Sequence, residues 1–189
     1  MSALRGAIKL PGTGFAGRAA FVAALVASGL LLADCSPPTL PCPAAKILRE
    51  ASSVTRFAPG QPPSPQSVQY VGSVNAAKLT CSYDPSTQER LSVALGVQIT
   101  AERPQGSSLP AADLRYFIAI VNLEGELLAK REFPLQLAFP PGATTVTKVE
   151  ETRENIPLKY PQNGGSLQIW TGFQLDEAEL KYNREHFGG

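Results

Sequence analysis

The sequence is poor in the residues on which most metal and nucleophile chemistry depends. Its 189 residues include one histidine and three cysteines, and no two cysteines form a C-x-x-C pair. A single imidazole excludes every site that takes two histidines from one chain. That histidine, His186, lies three residues from the C-terminus, where the chain gives a catalytic group little rigid support. We therefore predict no catalytic residue, no metal site and no cofactor.

Charge is also scarce, and the two signs are almost balanced. Charged residues make up 17% of the chain, and 17 Lys plus Arg against 16 Asp plus Glu leave a formal net charge of +1. A nucleic-acid-binding protein needs a basic excess, so we predict no nucleic-acid partner. Hydrophobic residues reach 43%, which is too apolar for a chain that is disordered throughout.

The N-terminus has the pattern of an export signal. Residues 1–33 contain no acidic residue and carry Arg5, Lys9 and Arg18, and residues 19–33 form a run of 15 apolar or small residues. This run has the length of a signal-peptide core and is short for a membrane span. The alternative is a core helix, but a helix packed at a surface alternates apolar and polar faces. We predict a signal peptide over residues 1–34.

The end of this run carries a recognisable motif. Residues 32–35 read Leu-Ala-Asp-Cys and resemble the lipobox of bacterial lipoproteins, although Asp34 stands where a small uncharged residue is usual. With looser matches in the rest of the chain, the sequence resembles the small envelope lipoproteins of Gram-negative bacteria. The resemblance implies cleavage before Cys35, acylation of Cys35 and a lipid anchor facing the periplasm. Ser36 after the cysteine implies the outer rather than the inner membrane.

The segment after Cys35 is rich in proline. Residues 36–41 read Ser-Pro-Pro-Thr-Leu-Pro, a composition that favours the extended polyproline II conformation. At about 3.1 Å per residue it would span roughly 20 Å. We predict that residues 35–41 form a lipidated cysteine with a stiff tether.

Two further cysteines remain once Cys35 carries lipid. An oxidising compartment favours their pairing, so we predict a disulfide between Cys42 and Cys81. The chain-entropy model gives such a loop about 4 kcal/mol of stabilisation. The alternatives are a thiol catalyst or a metal site, for which the sequence offers few partners.

The rest of the chain alternates apolar and polar residues with period two. The clearest case is Leu91 to Ile99, apolar at every second position. Strands are predicted over residues 44–48, 68–74, 79–83, 91–99, 114–121, 126–133, 135–139, 144–151 and 167–173. We predict an all-β fold, a single antiparallel, immunoglobulin-like β-sandwich of about seven to nine strands over residues 42–183. A short helix over residues 176–182 starts at Asp176 with a capping box to Glu179, and residues 184–189 form a frayed tail.

Function is predicted only as a class. A sandwich on a lipid tether suits a non-enzymatic interaction or structural module whose edge strands bind another envelope protein. The alternative is a glycan- or peptidoglycan-binding domain that uses Trp170 and Tyr160 as an aromatic platform. A Trp in a sandwich more often packs, and the C-terminal helix could cover Trp170. A hydrolase is the most remote alternative, because the sequence offers no nucleophile beside a base.

Overall fold

The computed structural model describes residues 40–159 and 162–187, and omits the side chain of Phe187. Eight strands and one α-helix occupy most of this length. The strands are β1 (Ala44–Ile47), β2 (Ser53–Phe57), β3 (Val68–Tyr83), β4 (Arg90–Glu102), β5 (Ala111–Asn122), β6 (Leu127–Ala138), β7 (Thr145–Pro157) and β8 (Leu167–Phe173), and the helix is α1 (Glu177–Phe187). Three short 3-10 turns, Arg49–Ala51, Pro65–Ser67 and Gly164–Ser166, join them.

The strands form two four-stranded sheets. The first sheet has the order β1-β8-β5-β6 and the second the order β2-β3-β4-β7. Neighbouring strands are antiparallel except β1 and β8, which are parallel. The predicted all-β sandwich is confirmed, with eight strands in the described residues.

The core lies between the sheets and is built by the alternation seen in the sequence. Leu91, Val93, Leu95, Val97 and Ile99 of β4 are each at most 4% exposed. They belong to one apolar cluster with inward-facing residues of the first sheet, among them Leu114, Ile118, Leu137, Ile169 and Phe173. Because successive side chains of a strand point to opposite faces, the residues between them form the outer face of the second sheet.

Two strands are longer than the sequence indicates. β3 is continuous over the two predicted strands 68–74 and 79–83, with a bulge between Val74 and Ala76. β6 likewise continues through Pro134. A proline is tolerated there because β6 is an edge strand and loses no hydrogen bond to a neighbour. β2 was not predicted at all, because its five residues, SVTRF, show no clean alternation.

The helix α1 begins as predicted. The Glu179 N–H donates to Asp176 Oδ1 (2.8 Å), and the Asp176 N–H donates to Glu179 Oε2 (3.0 Å), which is a capping box. The helix continues to Phe187, so residues 184–187, which we expected to belong to the C-terminal tail, are helical in the structure. Side-chain contacts hold this last turn: Arg184 pairs with Glu50 (3.1 Å), and His186 stacks on Tyr182.

Buried polar contacts fix α1 against the sandwich. Asn183 is 3% exposed, and its Nδ2 donates to the carbonyl oxygens of Glu50 (2.9 Å) and Ser53 (2.8 Å). Arg56 of β2 forms an ion pair with Glu179 at the start of the helix. These contacts join α1 to β2 and to the turn that precedes it.

Candidate functional site

A disulfide fixes the N-terminal end of the described chain to the sandwich. Cys42 and Cys81 form the predicted disulfide, with their Cα atoms 5.8 Å apart. Beside it, the Tyr83 hydroxyl donates to the carbonyl oxygen of Pro41 (2.5 Å) and accepts from the Gly164 N–H (2.7 Å). Pro41, the last residue of the predicted tether, is therefore held to the end of β3 and, through the Tyr83 hydroxyl, to the loop before β8. Cys35 and the predicted signal peptide lie outside the described residues.

Trp170 lies on the outer face of the first sheet, where it packs. It is half-buried against a small apolar cluster of Ala51, Phe117 and Ala119, and its indole N–H donates to Gln168 Oε1 (2.9 Å). This arrangement matches the packing alternative and leaves only part of the ring accessible. Tyr160, the second ring of the suggested glycan platform, lies outside the described residues.

β6 presents an open edge. It has one neighbour, β5, and no strand in the described residues pairs with its other side. Phe139 and Pro110 form a hydrogen-bonded pair, because the Phe139 N–H donates to the Pro110 carbonyl (2.9 Å). In the same register Pro134 lies opposite Arg115, five positions further along the strand. Because antiparallel pairs alternate between hydrogen-bonded and non-hydrogen-bonded, the nitrogen of Pro134 faces the open side.

The same alternation identifies the backbone groups that are free to bind. Lys130 and Glu132 have the parity of Pro134, so their N–H and C=O groups point away from β5. Their side chains lie on the outer face of the sheet and are paired with each other (3.4 Å). An added strand would therefore meet backbone donors and acceptors flanked by one positive and one negative side chain.

The hairpin that leads into β6 carries exposed leucines. Asn122 caps the turn: its Oδ1 accepts from the Glu126 N–H (2.8 Å), and its backbone accepts from the Gly125 N–H (3.1 Å). Gly125 has a φ of +83°, a conformation that glycine adopts readily. The turn places Leu123, Leu127 and Leu128 in solvent, each at least 52% exposed. The sequence shows three leucines around this turn, but the strand pattern gave no indication that their side chains are exposed.

Comparison of the chain with protein-family models, with curated proteins and with solved structures finds no match. The proposed function therefore depends on the residues themselves.

A polar groove of about 740 Å³ lies between the start of α1 and strands β2, β5 and β6. Its two arginines are in ion pairs, Arg56 with Glu179 and Arg115 with Glu132 (3.8 Å). Asp113 accepts from the Gln136 amide (2.7 Å). Asp176 accepts from the Glu179 N–H (2.8 Å), so the charged side chains that line the groove have polar partners.

Some side chains in the described residues have shifted pKa values, and each shift has a structural cause. Burial raises the pKa of Tyr70 above 10.0, and its hydroxyl donates to the Asp113 carbonyl (2.5 Å), which joins the two sheets. Burial also raises the pKa of Tyr116, which stacks on Phe133. Asp84, in the β3–β4 connection, has a pKa lowered to about 2 by hydrogen bonds from Ser86 and Thr87.

Within the described ranges, no group of three His, Cys, Asp or Glu side chains is arranged to hold a metal ion. No helix there has the length and hydrophobicity to cross a membrane.

Proposed function

We propose that this protein is a lipid-anchored envelope lipoprotein whose β-sandwich is a non-enzymatic interaction module. The cysteine count carries the first half of the proposal. The chain has three cysteines, and Cys42 is bonded to Cys81. The remaining one is Cys35, which stands at the last position of the lipobox-like motif. A disulfide also favours an oxidising compartment such as the periplasm.

The open edge of β6 supports the second half. Strand addition needs unpaired backbone groups in an accessible strand, and Lys130 and Glu132 offer them. Residues 127–132 are all exposed, and one of them, Arg131, pairs with Glu154 of β7 (2.5 Å). The backbone groups of Lys130 and Glu132 on the open side have no strand partner in the described residues. The charged pair and Pro134 restrict which strands can add, as edge strands of soluble proteins commonly do. We propose another envelope protein as the partner.

Intact mass tests the anchor. The full chain is expressed in a Gram-negative host, with and without Cys35→Ser, and alkylated without reductant. We expect loss of residues 1–34, added acyl mass and no alkylated thiol, and we expect Cys35→Ser to lose the acyl mass. An uncleaved chain with one alkylated thiol would overturn the anchor, and the departure at Asp34 would then be its cause.

Crosslinking in the host envelope tests the interaction module. Glu132→Pro removes one free N–H from the open edge of β6 and leaves the β5–β6 hydrogen bonds in place. Glu132→Gln is the matched control, because it removes the same charge and keeps the N–H. We expect a crosslinked partner with the wild type and the control, and its loss with Glu132→Pro. Recovery of the chain alone from all three would contradict the proposal.

A further inference from the structure

Four of the five exposed large hydrophobic side chains in the described residues lie at one end of the sandwich. Five such side chains are exposed: Leu40 (38%), Leu123 (60%), Leu127 (60%), Leu128 (52%) and Val149 (55%). Three of them surround the β5–β6 turn. Leu40 precedes the disulfide-bonded Cys42, and Val149 lies in the middle of β7.

The strand register places the leucine hairpin at the end where the chain joins the sandwich. In the first sheet Ala44 is opposite Gln168, Gln168 is opposite Val121, and Val121 is opposite Leu127. These four residues form one row across the sheet, and Ala44 follows Cys42 by two positions. Three strand spacings of about 4.8 Å separate β1 from β6, so Leu127 lies roughly 14 Å from Ala44, where the chain enters the sandwich after Cys42.

We infer that the tip of the β5–β6 hairpin, Leu123, Leu127 and Leu128, inserts into the surface of the lipid bilayer to which the chain is anchored. The inference rests on the proposed acylation of Cys35. The predicted tether, residues 35–41, would span roughly 20 Å in polyproline II, so it would keep this end of the sandwich within about that distance of the bilayer. Apolar side chains gain free energy on leaving water for the headgroup and acyl boundary, and exposed leucines at this end are positioned to do so.

The charges at this end indicate which lipids suit the contact. The β3–β4 connection, the first residue of β4, the hairpin turn and the chain after β7 together carry four acidic and two basic side chains: Asp84, Glu89, Glu124, Glu126, Arg90 and Lys159. Anionic lipid would be repelled by this net negative charge. The contact is therefore apolar and suits a zwitterionic surface, such as phosphatidylethanolamine with phosphatidylcholine.

Site-specific photocrosslinking tests the contact in the full chain. A benzophenone amino acid replaces Leu127 in one sample and Val149 in the control. Val149 is similarly exposed but lies midway along β7, away from the hairpin end of the sandwich. Each chain is expressed in a Gram-negative host, purified, incorporated into phosphatidylethanolamine–phosphatidylcholine vesicles and irradiated. Mass spectrometry then reports lipid adducts at the benzophenone and, separately, acyl groups on Cys35.

We expect about tenfold more phospholipid adduct at position 127 than at position 149, the order of preference that burial of one leucine produces. An acylated chain with equal adduct yields at both positions would overturn the insertion and leave the anchor standing. A chain without acyl groups would overturn both. A protein adduct at position 127, formed in intact host envelopes in place of the lipid adduct, would assign the leucines to a protein partner and overturn the insertion.

Discussion

Tyr83 donates a hydrogen bond to the carbonyl oxygen of Pro41, one residue before the disulfide-bonded Cys42. The same hydroxyl accepts from the Gly164 N–H. A β-carbon on Gly164 would lie 2.5 Å from the Pro41 oxygen and 2.7 Å from the hydroxyl, so only glycine fits there. The Tyr83 hydroxyl therefore connects Pro41, the end of β3 and the loop before β8. Tension on a lipid anchor would be passed to the sandwich through this point.

Removing the Tyr83 hydroxyl should loosen the attachment point. Tyr83→Phe loses two hydrogen bonds and keeps the ring, so we expect the free energy of unfolding to fall by about 1–2 kcal/mol. Urea unfolding followed by circular dichroism measures the change. Ser82→Ala, at an exposed neighbouring position on β3, is the control and should change stability by less than about 0.5 kcal/mol. Equal stabilities of the Tyr83 variant and wild type would contradict the connecting role.

Opening the disulfide should destabilise the whole sandwich. Cys42 and Cys81 are 39 positions apart, and the unfolded chain gains entropy when that loop opens. We expect the double variant Cys42→Ser with Cys81→Ser to lose about 4 kcal/mol of unfolding free energy. Denaturant unfolding with and without reductant measures it. Reductant should shift the midpoint of the wild type and leave the double variant unchanged, and a shift in both would mean that another reducible group is responsible.

Asn183 should contribute more to stability than its neighbour Arg184. Asn183→Ala leaves two buried carbonyl oxygens, of Glu50 and Ser53, without their donor, so we expect a loss of about 2–3 kcal/mol. Arg184→Ala breaks an exposed ion pair with Glu50 and should cost less than about 1 kcal/mol. Thermal unfolding of the two variants gives the comparison. Similar losses in both would show that α1 is held by its exposed contacts.

Asp84 should titrate well below an ordinary aspartate. The Ser86 hydroxyl (2.5 Å) and the Ser86 and Thr87 N–H groups donate to its carboxylate and lower its pKa from 3.8 to about 2. Because the folded pKa lies below the unfolded one, the stabilising contribution is complete above about pH 4 and is lost as the pH falls through about 2. NMR titration measures the pKa.

Ser86→Ala removes the largest cause of this shift, so the pKa of Asp84 should rise toward 3.8. Ser108→Ala, an exposed serine in the β4–β5 connection, should leave that pKa unchanged. A pKa for Asp84 that stays near 2 in the Ser86 variant would assign the shift to the backbone donors alone.

Much of the fold was predictable because its signals are local. The alternation from Leu91 to Ile99 defines β4, and the spacing of Asp176 and Glu179 defines the start of α1. β2 escaped prediction because Thr55, a polar residue, is buried beside Val54 by its pairing with β3, a relation that sequence neighbours do not report. The two predicted strands 68–74 and 79–83 are one strand because both pair with β4 across a bulge between Val74 and Ala76. That pairing is also not visible from neighbours in the sequence.

The candidate site divides in a similar way. The sequence by itself determined the all-β class, because periodicity is a property of the chain alone. It also predicted the pairing of Cys42 with Cys81, once the lipobox resemblance had assigned Cys35 to lipid. Only the tertiary structure decided that β6 is an edge strand and that Trp170 packs against Phe117 and Ala119. It also placed Leu127 in the same row as Ala44. These relations depend on which strands become neighbours, and that is set by long-range pairing and by the burial of apolar faces.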